Sequence, residues 1–516
     1  MQGNLAGFLP RFSRRKALRL IGGTLAGLPF AGGIARAKDL SNPNILFIMT
    51  DDQRQDAMSA YGNTILKTPN VDRIANEGMR FDEMFVTNSL CAPSRASFLT
   101  GLYSHAHGIV TNGDGPQFYN GPGIREDQRT FPQRLQEAGY HTGLVGKWHL
   151  KSVPTGFDEW VIFPWQGEYY DPELISKGTH LRARGHADDV VGDQAIEFLN
   201  HRPKDRPFCL LYQFKSPHRS WFPAKRFEHM FDDINIPLPR TYEDKLEGRP
   251  EAVRATEMHM DDLHDFRERG VPESLPENER ERQSYEMMVK NYYRVLLSVD
   301  ENVGRVLDLL DKQDLSENTV VVYTSDNGFF LGEHGLFDKR LMYEASIRVP
   351  LAIRYPNLIP ARSVDKTHMV LNIDIAPTLL QLGGVPVPLG LHGRSIVPLL
   401  KNADVPWRDA FLYEYFEYPA GHCARKNRGV RTERWQLIHF FEQPEEWELY
   451  DLQKDPDETK NLIADPAHAT TLQILKARLA ELRREVSDVD PPGPPPAVVG
   501  CHNGEVTGYS SRTGVH

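Results

Sequence analysis

The 516-residue sequence predicts an α/β fold: a large, mostly parallel central sheet flanked by helices, then a smaller C-terminal antiparallel sheet and a helix. Three observations predict it. Short, nearly continuous apolar runs at 44–50, 208–214 and 319–324 have the length and composition of strands buried on both faces. Helical periodicity fills the segments between them, and this alternation builds a parallel sheet covered by helices. Two of the runs end in acidic residues, Asp51-Asp52 and Asp326-Asn327, where the carboxyl ends of such strands bind ligands.

Taken in order, residues 1–37 read as an export signal. Ser13-Arg14-Arg15-Lys16 precedes an apolar stretch, and Ala35-Arg36-Ala37 has a small-x-small cleavage pattern. The paired arginines resemble a twin-arginine signal, with an ordinary secretory signal as the alternative. Residues 38–408 form the α/β domain, with helices expected at 70–76, 95–100, 130–138, 188–199 and 285–310. In the last, Tyr292, Val295, Leu296, Val299, Val303, Val306 and Leu310 make a helical stripe. Residues 216–284 read as a charged, irregular insertion, more surface decoration than core. Residues 409–490 hold four short strands and a helix whose Leu472, Leu475, Leu479, Leu482 and Val486 share one face. Residues 491–516 are a Pro/Gly-rich tail without a packing pattern.

Composition is that of a globular protein, 40% hydrophobic and 25% charged. The net charge of −10 argues against nucleic acid or an anionic membrane as a partner. Removing residues 1–37 takes away six positive charges and no negative ones, leaving about −16. An anionic substrate therefore needs a local positive pocket. Four cysteines, Cys91, Cys209, Cys423 and Cys501, are too few for a disulfide scaffold and lack zinc spacing. Cys209 reads as a buried strand residue, and a Cys423–Cys501 pair stays open.

Asp51, Asp52, Asp326 and Asn327 offer only oxygen donors, a set that suits a hard divalent cation, Ca2+ or Mg2+. Singly, each cluster also reads as a turn that caps a strand. Joined to Cys91-Ala92-Pro93-Ser94-Arg95, they point to a metal-assisted ester hydrolase.

Here the chain resembles the type I sulfatases of the alkaline-phosphatase-like superfamily, from about Asn44 to Val486. Cys91-Ala92-Pro93-Ser94-Arg95 with Ala96 to Gly101 is similar to the first family signature. Gly139 to His149 is similar to the second. Ser325-Asp326-Asn327-Gly328, Gly332-Glu333-His334-Gly335, Asp338-Lys339 and the late Leu449-Tyr450-Asp451-Leu452 complete the likeness. The resemblance implies that Cys91 is converted to Cα-formylglycine by a formylglycine-generating or equivalent maturation enzyme. One hydroxyl of the aldehyde hydrate then attacks sulfur, and the other expels sulfate. It implies Asp51, Asp52, Asp326, Asn327 and modified Cys91 as metal ligands, with Ca2+ the expected ion. Arg95 would hold the diol, Lys147 and Lys339 the sulfate oxygens, and His149 the formylglycine hydroxyl. His218 would be the general acid, a role Lys339 could share.

The alcohol is less constrained. Tyr413 to Pro419, followed by His422, Arg425, Lys426 and Arg428, reads equally as a sugar cleft and as a packing seam of the small sheet. With Gly429-Val430-Arg431-Thr432 it is similar to bacterial enzymes related to N-acetylglucosamine-6-sulfatases, which implies a sulfated saccharide substrate. A phosphonate or phosphate diester hydrolase with the same nucleophile and an inactive glycan-binding protein are the alternatives.

Overall fold

The computed structural model describes residues 42–490 apart from 114–122, 126, 151, 267–268 and 420–421. The proposed export signal at 1–37, the tail at 491–516 and Cys501, with its possible pairing to Cys423, lie outside the described residues.

Ten strands form the central sheet, in the order Ser363–Asp365, Met79–Phe81, Leu351–Arg354, Thr319–Ser325, Asn44–Thr50, Phe208–Gln213, His141–Lys147, Glu159–Phe163, Glu173–Ser176, Thr179–Arg182. The five consecutive strands from Thr319–Ser325 to Glu159–Phe163 are mutually parallel, and antiparallel strands continue the sheet on both sides. The apolar runs become central strands because both of their faces are covered. Along Asn44–Thr50, Ile45, Phe47 and Met49 enter one core while Leu46 and Ile48 enter the other. Burial of each such side chain contributes roughly 1.5–3 kcal/mol.

Helices Pro69–Asn76, Ala187–His201 and Glu277–Lys312 cover one face. Every member of the stripe from Tyr292 to Leu310 is buried there. Helices Cys91–Thr100, Phe131–Glu137 and Ile375–Leu382 cover the other face. The C-terminal sheet, Ala410–Tyr415, Asn427–Thr432, Trp435–Phe440 and Glu446–Asp451, is antiparallel throughout and packs into this second core. Leu475, Leu479 and Leu482 of helix Ala469–Glu485 are buried against it, with Leu472 and Val486 half-buried beside them.

One expectation is corrected. Residues 277–284 are not part of an irregular insertion but the first two turns of the long helix Glu277–Lys312. Nor is the remainder mainly surface decoration: Trp221, Val253, Met258 and Phe266 are fully buried. Sparse apolar residues among charges hid this, because they pack singly into tertiary gaps instead of along a periodic face. Among the described residues no helix is long and apolar enough to cross a membrane.

Candidate active site

Four neighbouring strands deliver polar side chains at their carboxyl ends. Thr50 pairs with Ser325, so Asp51-Asp52 and Asp326-Asn327 leave the sheet side by side. Lys147 ends the strand His141–Lys147, and Gln213 ends Phe208–Gln213. The turn after Asn44–Thr50 is pinned from several sides. The Tyr292 hydroxyl donates to the Asp52 carbonyl at 2.6 Å, and the Asp52 amide donates to Asp326 Oδ1 at 3.1 Å. Asp52 is held at φ 71°, a left-handed conformation that non-glycine residues adopt at a cost.

Helix Cys91–Thr100 is buried over its whole length and starts at Cys91. Pro93 is tolerated there because first-turn amides have no intrahelical acceptor to lose. Cys91 Sγ lies 3.4 Å from Asp51 Oδ1 and 3.6 Å from Lys339 Nζ. Position 91 carries the encoded cysteine, so Sγ marks the place of the oxygen atoms that modification would put there. One turn on, Arg95 Nε donates to Asp326 Oδ2 at 2.8 Å. Its Nη1 donates to the Lys147 carbonyl and to Gln213 Oε1, each at 2.9 Å.

The cations neutralise the carboxylates in pairs. Lys147 donates to Asp51 and to Gln166, and Lys339 Nζ donates to both Asp52 oxygens at 2.5 and 2.6 Å. Asn327 Nδ2 donates to Asp52 Oδ1 at 2.5 Å. His218 Nε2 stands 3.8 Å from Asp52 Oδ2, while Nδ1 bonds the Arg219 carbonyl at 2.7 Å. A carbonyl only accepts, so Nδ1 carries the proton and Nε2 of a neutral ring faces the carboxylates without one. His149, at φ 60°, is fully buried, with its ring edge-on to Trp165 at 5.1 Å.

Burial pushes every charged group here toward neutrality, and neighbours decide the outcome. For Asp51, burial is outweighed by the cations Lys147, Arg95 and Lys339, which hold it well below the usual carboxylate range. Burial raises Asp52 despite Lys339, and burial with the charge of Asp51 pushes Asp326 up to about 7. Burial and Asp51 also raise the Cys91 thiol, so an unmodified cysteine holds little of the reactive thiolate. Burial drives His149 and His218 well below the ordinary histidine range, whereas the carboxylates of Asp52 and Asp338 keep buried Lys339 charged.

The donor set fits a divalent cation. Carboxylate oxygens of Asp51, Asp52 and Asp326 lie within 4.8 Å of one another, all buried. Asn327 Oδ1, beside them, is buried and has no hydrogen-bond partner among the described residues. A buried carbonyl oxygen left unpaired next to three carboxylates is the donor that an ion would satisfy.

The sulfatase family model matches residues 43–385 of this chain, more than half of it. The chain belongs to the sulfatase family. A second model, the C-terminal region of N-sulphoglucosamine sulphohydrolase, matches residues 332–485. The N-acetylglucosamine-6-O-sulfatase of Bacteroides thetaiotaomicron is 40% identical over 502 residues, with 88% of each chain covered. Human N-acetylglucosamine-6-sulfatase is 29% identical, over 79% of this chain and 72% of its own length. A solved structure in complex with its substrate D-glucosamine-2-N,6-O-disulfate superposes with a TM-score of 0.80 at 39% identity, covering 87% of this chain and 99% of that one.

This sulfatase, a hydrolase, uses residues that the sequence reading did not single out. Gln213 and Gln166 hold Arg95 and Lys147, and the Asn112 side chain accepts from the Ala92 amide at 3.0 Å. Gln213 carried a usable signal, a polar residue late in a buried apolar run, like Asp51. Gln166 and Asn112 lie in irregular segments and carried none. His334 bonds Asp244 at 2.8 Å and ties the 216–276 segment to the turn Glu333–Gly335. Glu333 pairs with Arg54 at 2.7 Å. In the aromatic run, Tyr413 and Tyr415 are fully buried, and their hydroxyls bond the Arg340 carbonyl at 2.9 Å and its guanidinium at 3.1 Å. These two side chains form a packing seam. Arg425 and Arg428 pair with Glu446 and Asp490, each at 2.6 Å.

Proposed function

We propose that the chain hydrolyses a sulfate ester on a saccharide, a 6-O-sulfated glucosamine-type sugar, with Cys91 converted to formylglycine. The convergence of Cys91, three buried carboxylates and the cations Arg95, Lys147 and Lys339 at four strand ends carries the reading of the reaction. The likeness to the N-acetylglucosamine-6-O-sulfatase of Bacteroides thetaiotaomicron supports the choice of sugar.

Asp51, Asp52, Asp326 and Asn327, with the modified residue 91, would hold one divalent cation; the all-oxygen donors suit Ca2+ or Mg2+, and the family resemblance favours Ca2+. Such an ion, when bound, polarises the sulfate and lowers the cost of deprotonating the nucleophile. Arg95 fixes Asp326 and lends positive charge beside the attacking oxygen. Lys147 and Lys339 turn from Asp51 and Asp52 toward the sulfate oxygens, where fixed cations stabilise charge that grows in the transition state. His149 receives a proton from the hydroxyl at position 91. The leaving alcohol takes its proton from Lys339, which already carries one, or from His218 once the anionic ester has raised it.

Two further readings accompany this one. The Arg14-Arg15 pattern supports export by the twin-arginine machinery, and Cys91-Ala92-Pro93-Ser94-Arg95 supports recognition by a maturation enzyme. Residues 38–408 would form the catalytic domain and 409–490 its C-terminal subdomain.

The test is peptide mass analysis at position 91 joined to sulfate release from a panel. The panel holds glucosamine 6-sulfate, N-acetylglucosamine 6-sulfate, an aryl sulfate and a phosphonate monoester. Formylglycine at 91 with release from the 6-sulfates is expected. Complete conversion with turnover only of the phosphonate would overturn the reading.

A further inference from the structure

Outside the catalytic centre, a cavity of about 560 Å3 opens between Tyr170, Phe222, Lys225, Arg269, Asn291 and Arg294. Its volume lies in the range of small-ligand sites, roughly 300–1,000 Å3. Phe222 and Tyr170 remain 41% and 37% exposed at its edge, although most large aromatic side chains of this chain are buried.

Its charge is unbalanced. Arg269 is sandwiched between rings, its guanidinium carbon 4.4 Å from the Phe222 centroid and 4.6 Å from that of Phe266. Its nitrogens donate to the carbonyls of Asp265, Trp221 and Ser220, which fix its position, and the nearby Asp265 carboxylate is already paired with Arg219. Arg294 is paired with Asp232. Lys225 and Arg269 therefore face one lining carboxylate, Glu228, and leave the cavity positive in a chain of net charge −10.

Side chains next to the cavity connect it to the catalytic centre. The Tyr169 hydroxyl donates to the His218 carbonyl at 2.6 Å, and the Tyr169 ring lies 6.3 Å from that of Phe222. The next residue, Tyr170, donates to the Pro223 carbonyl at 2.7 Å. Buried Trp221 stacks on Phe266 and meets Phe329, two residues after Asn327, edge-on. The segments that place His218 and Asn327 thus also set the aromatic edge of the cavity.

We propose that this cavity is a second binding site, for an anionic sugar unit other than the one whose sulfate is cleaved. The aromatic faces take the apolar face of a sugar ring, and Lys225 and Arg269 take its sulfate or carboxylate groups. The identity of the ligand rests on the proposed saccharide function; the positive, aromatic-edged cavity does not.

The experiment uses the full chain carrying Cys91→Ser, which stops turnover, and titrates a size-defined, heparin-derived sulfated tetrasaccharide by calorimetry. Phe222→Ala with Lys225→Glu changes two exposed side chains outside the catalytic machinery. The expected result is about tenfold weaker tetrasaccharide binding, the loss of one well-placed contact set, with binding of glucosamine 6-sulfate unchanged. Unchanged tetrasaccharide affinity, or equal losses for both ligands, would overturn the proposal. Equally tight binding of the desulfated tetrasaccharide would overturn its anionic part. Sulfate release by the unsubstituted chain is measured separately, so failure of the functional reading is seen without deciding the cavity.

Discussion

Arg95 joins three strand ends, and replacing it with lysine measures what that junction is worth. Its Nε meets Asp326, while Nη1 meets two further acceptors, the Lys147 carbonyl and Gln213 Oε1. A lysine ammonium can occupy only one of these nitrogen positions. It leaves either a buried carboxylate or two buried neutral acceptors unpaired. Two neutral acceptors cost about 1–3 kcal/mol each, about 2–6 kcal/mol together. Loss of the partner of a buried carboxylate costs about 3–5 kcal/mol. Arg95→Lys is thus expected to destabilise the chain by several kcal/mol although it keeps the charge. Arg95→Met also removes the charge beside Asp326, and a divalent cation should recover part of that larger loss by taking its place. Urea unfolding followed by tryptophan fluorescence and circular dichroism, with calcium and with chelator, measures both. A change for Arg95→Lys below about 1 kcal/mol would refute the argument that buried acceptors at this junction depend on the guanidinium fork.

Three other outcomes are expected. A chelator should lower the thermal midpoint and stop sulfate release, because an ion held by Asp51, Asp52 and Asp326 binds the folded chain and not the unfolded one; an unchanged midpoint would contradict the metal site. Gly146→Ala should disrupt the strand before Lys147, since Gly146 sits at φ 95° and an added Cβ would lie 1.8 Å from the Gln213 carbonyl oxygen; wild-type stability in urea would show that the backbone gives way there. Burial holds His107 down to about 3, with Nδ1 accepting from the Ile109 amide and Nε2 bonded to Ser97 Oγ. An unfolded histidine titrates near 6.5, so below that pH the unfolded chain binds a proton that the folded chain refuses. Stability should fall by about 1.4 kcal/mol per pH unit between about 6.5 and 3 from this group, and His107→Gln should flatten that slope. Parallel urea-midpoint profiles for the two chains would remove His107 from the account.

Much of this protein follows from local sequence. A run such as Asn44–Thr50 has to be buried on both faces, and the stripe from Tyr292 to Leu310 can form only one buried helical face. Cys91-Ala92-Pro93-Ser94-Arg95 and the acidic strand ends identify the chemistry because metal ligands and the modified residue are restricted to a few residue types. Tertiary structure alone decided the rest. Arg95 and Asp326 meet across 231 positions, and Lys147 meets Asp51 across 96. Only the sheet order brings them together, and no periodicity in the chain encodes it. The same holds for Tyr413 and Tyr415, whose composition suits a sugar cleft and a packing seam equally until Arg340 lies against them. Protonation was also hidden, since Asp51 and Asp326 are the same residue type with opposite shifts. Burial alone raises any carboxylate, and the cations that reverse it for Asp51 arrive from separate parts of the chain. Residue type sets which charges are possible; their arrangement in the folded interior sets which ones persist.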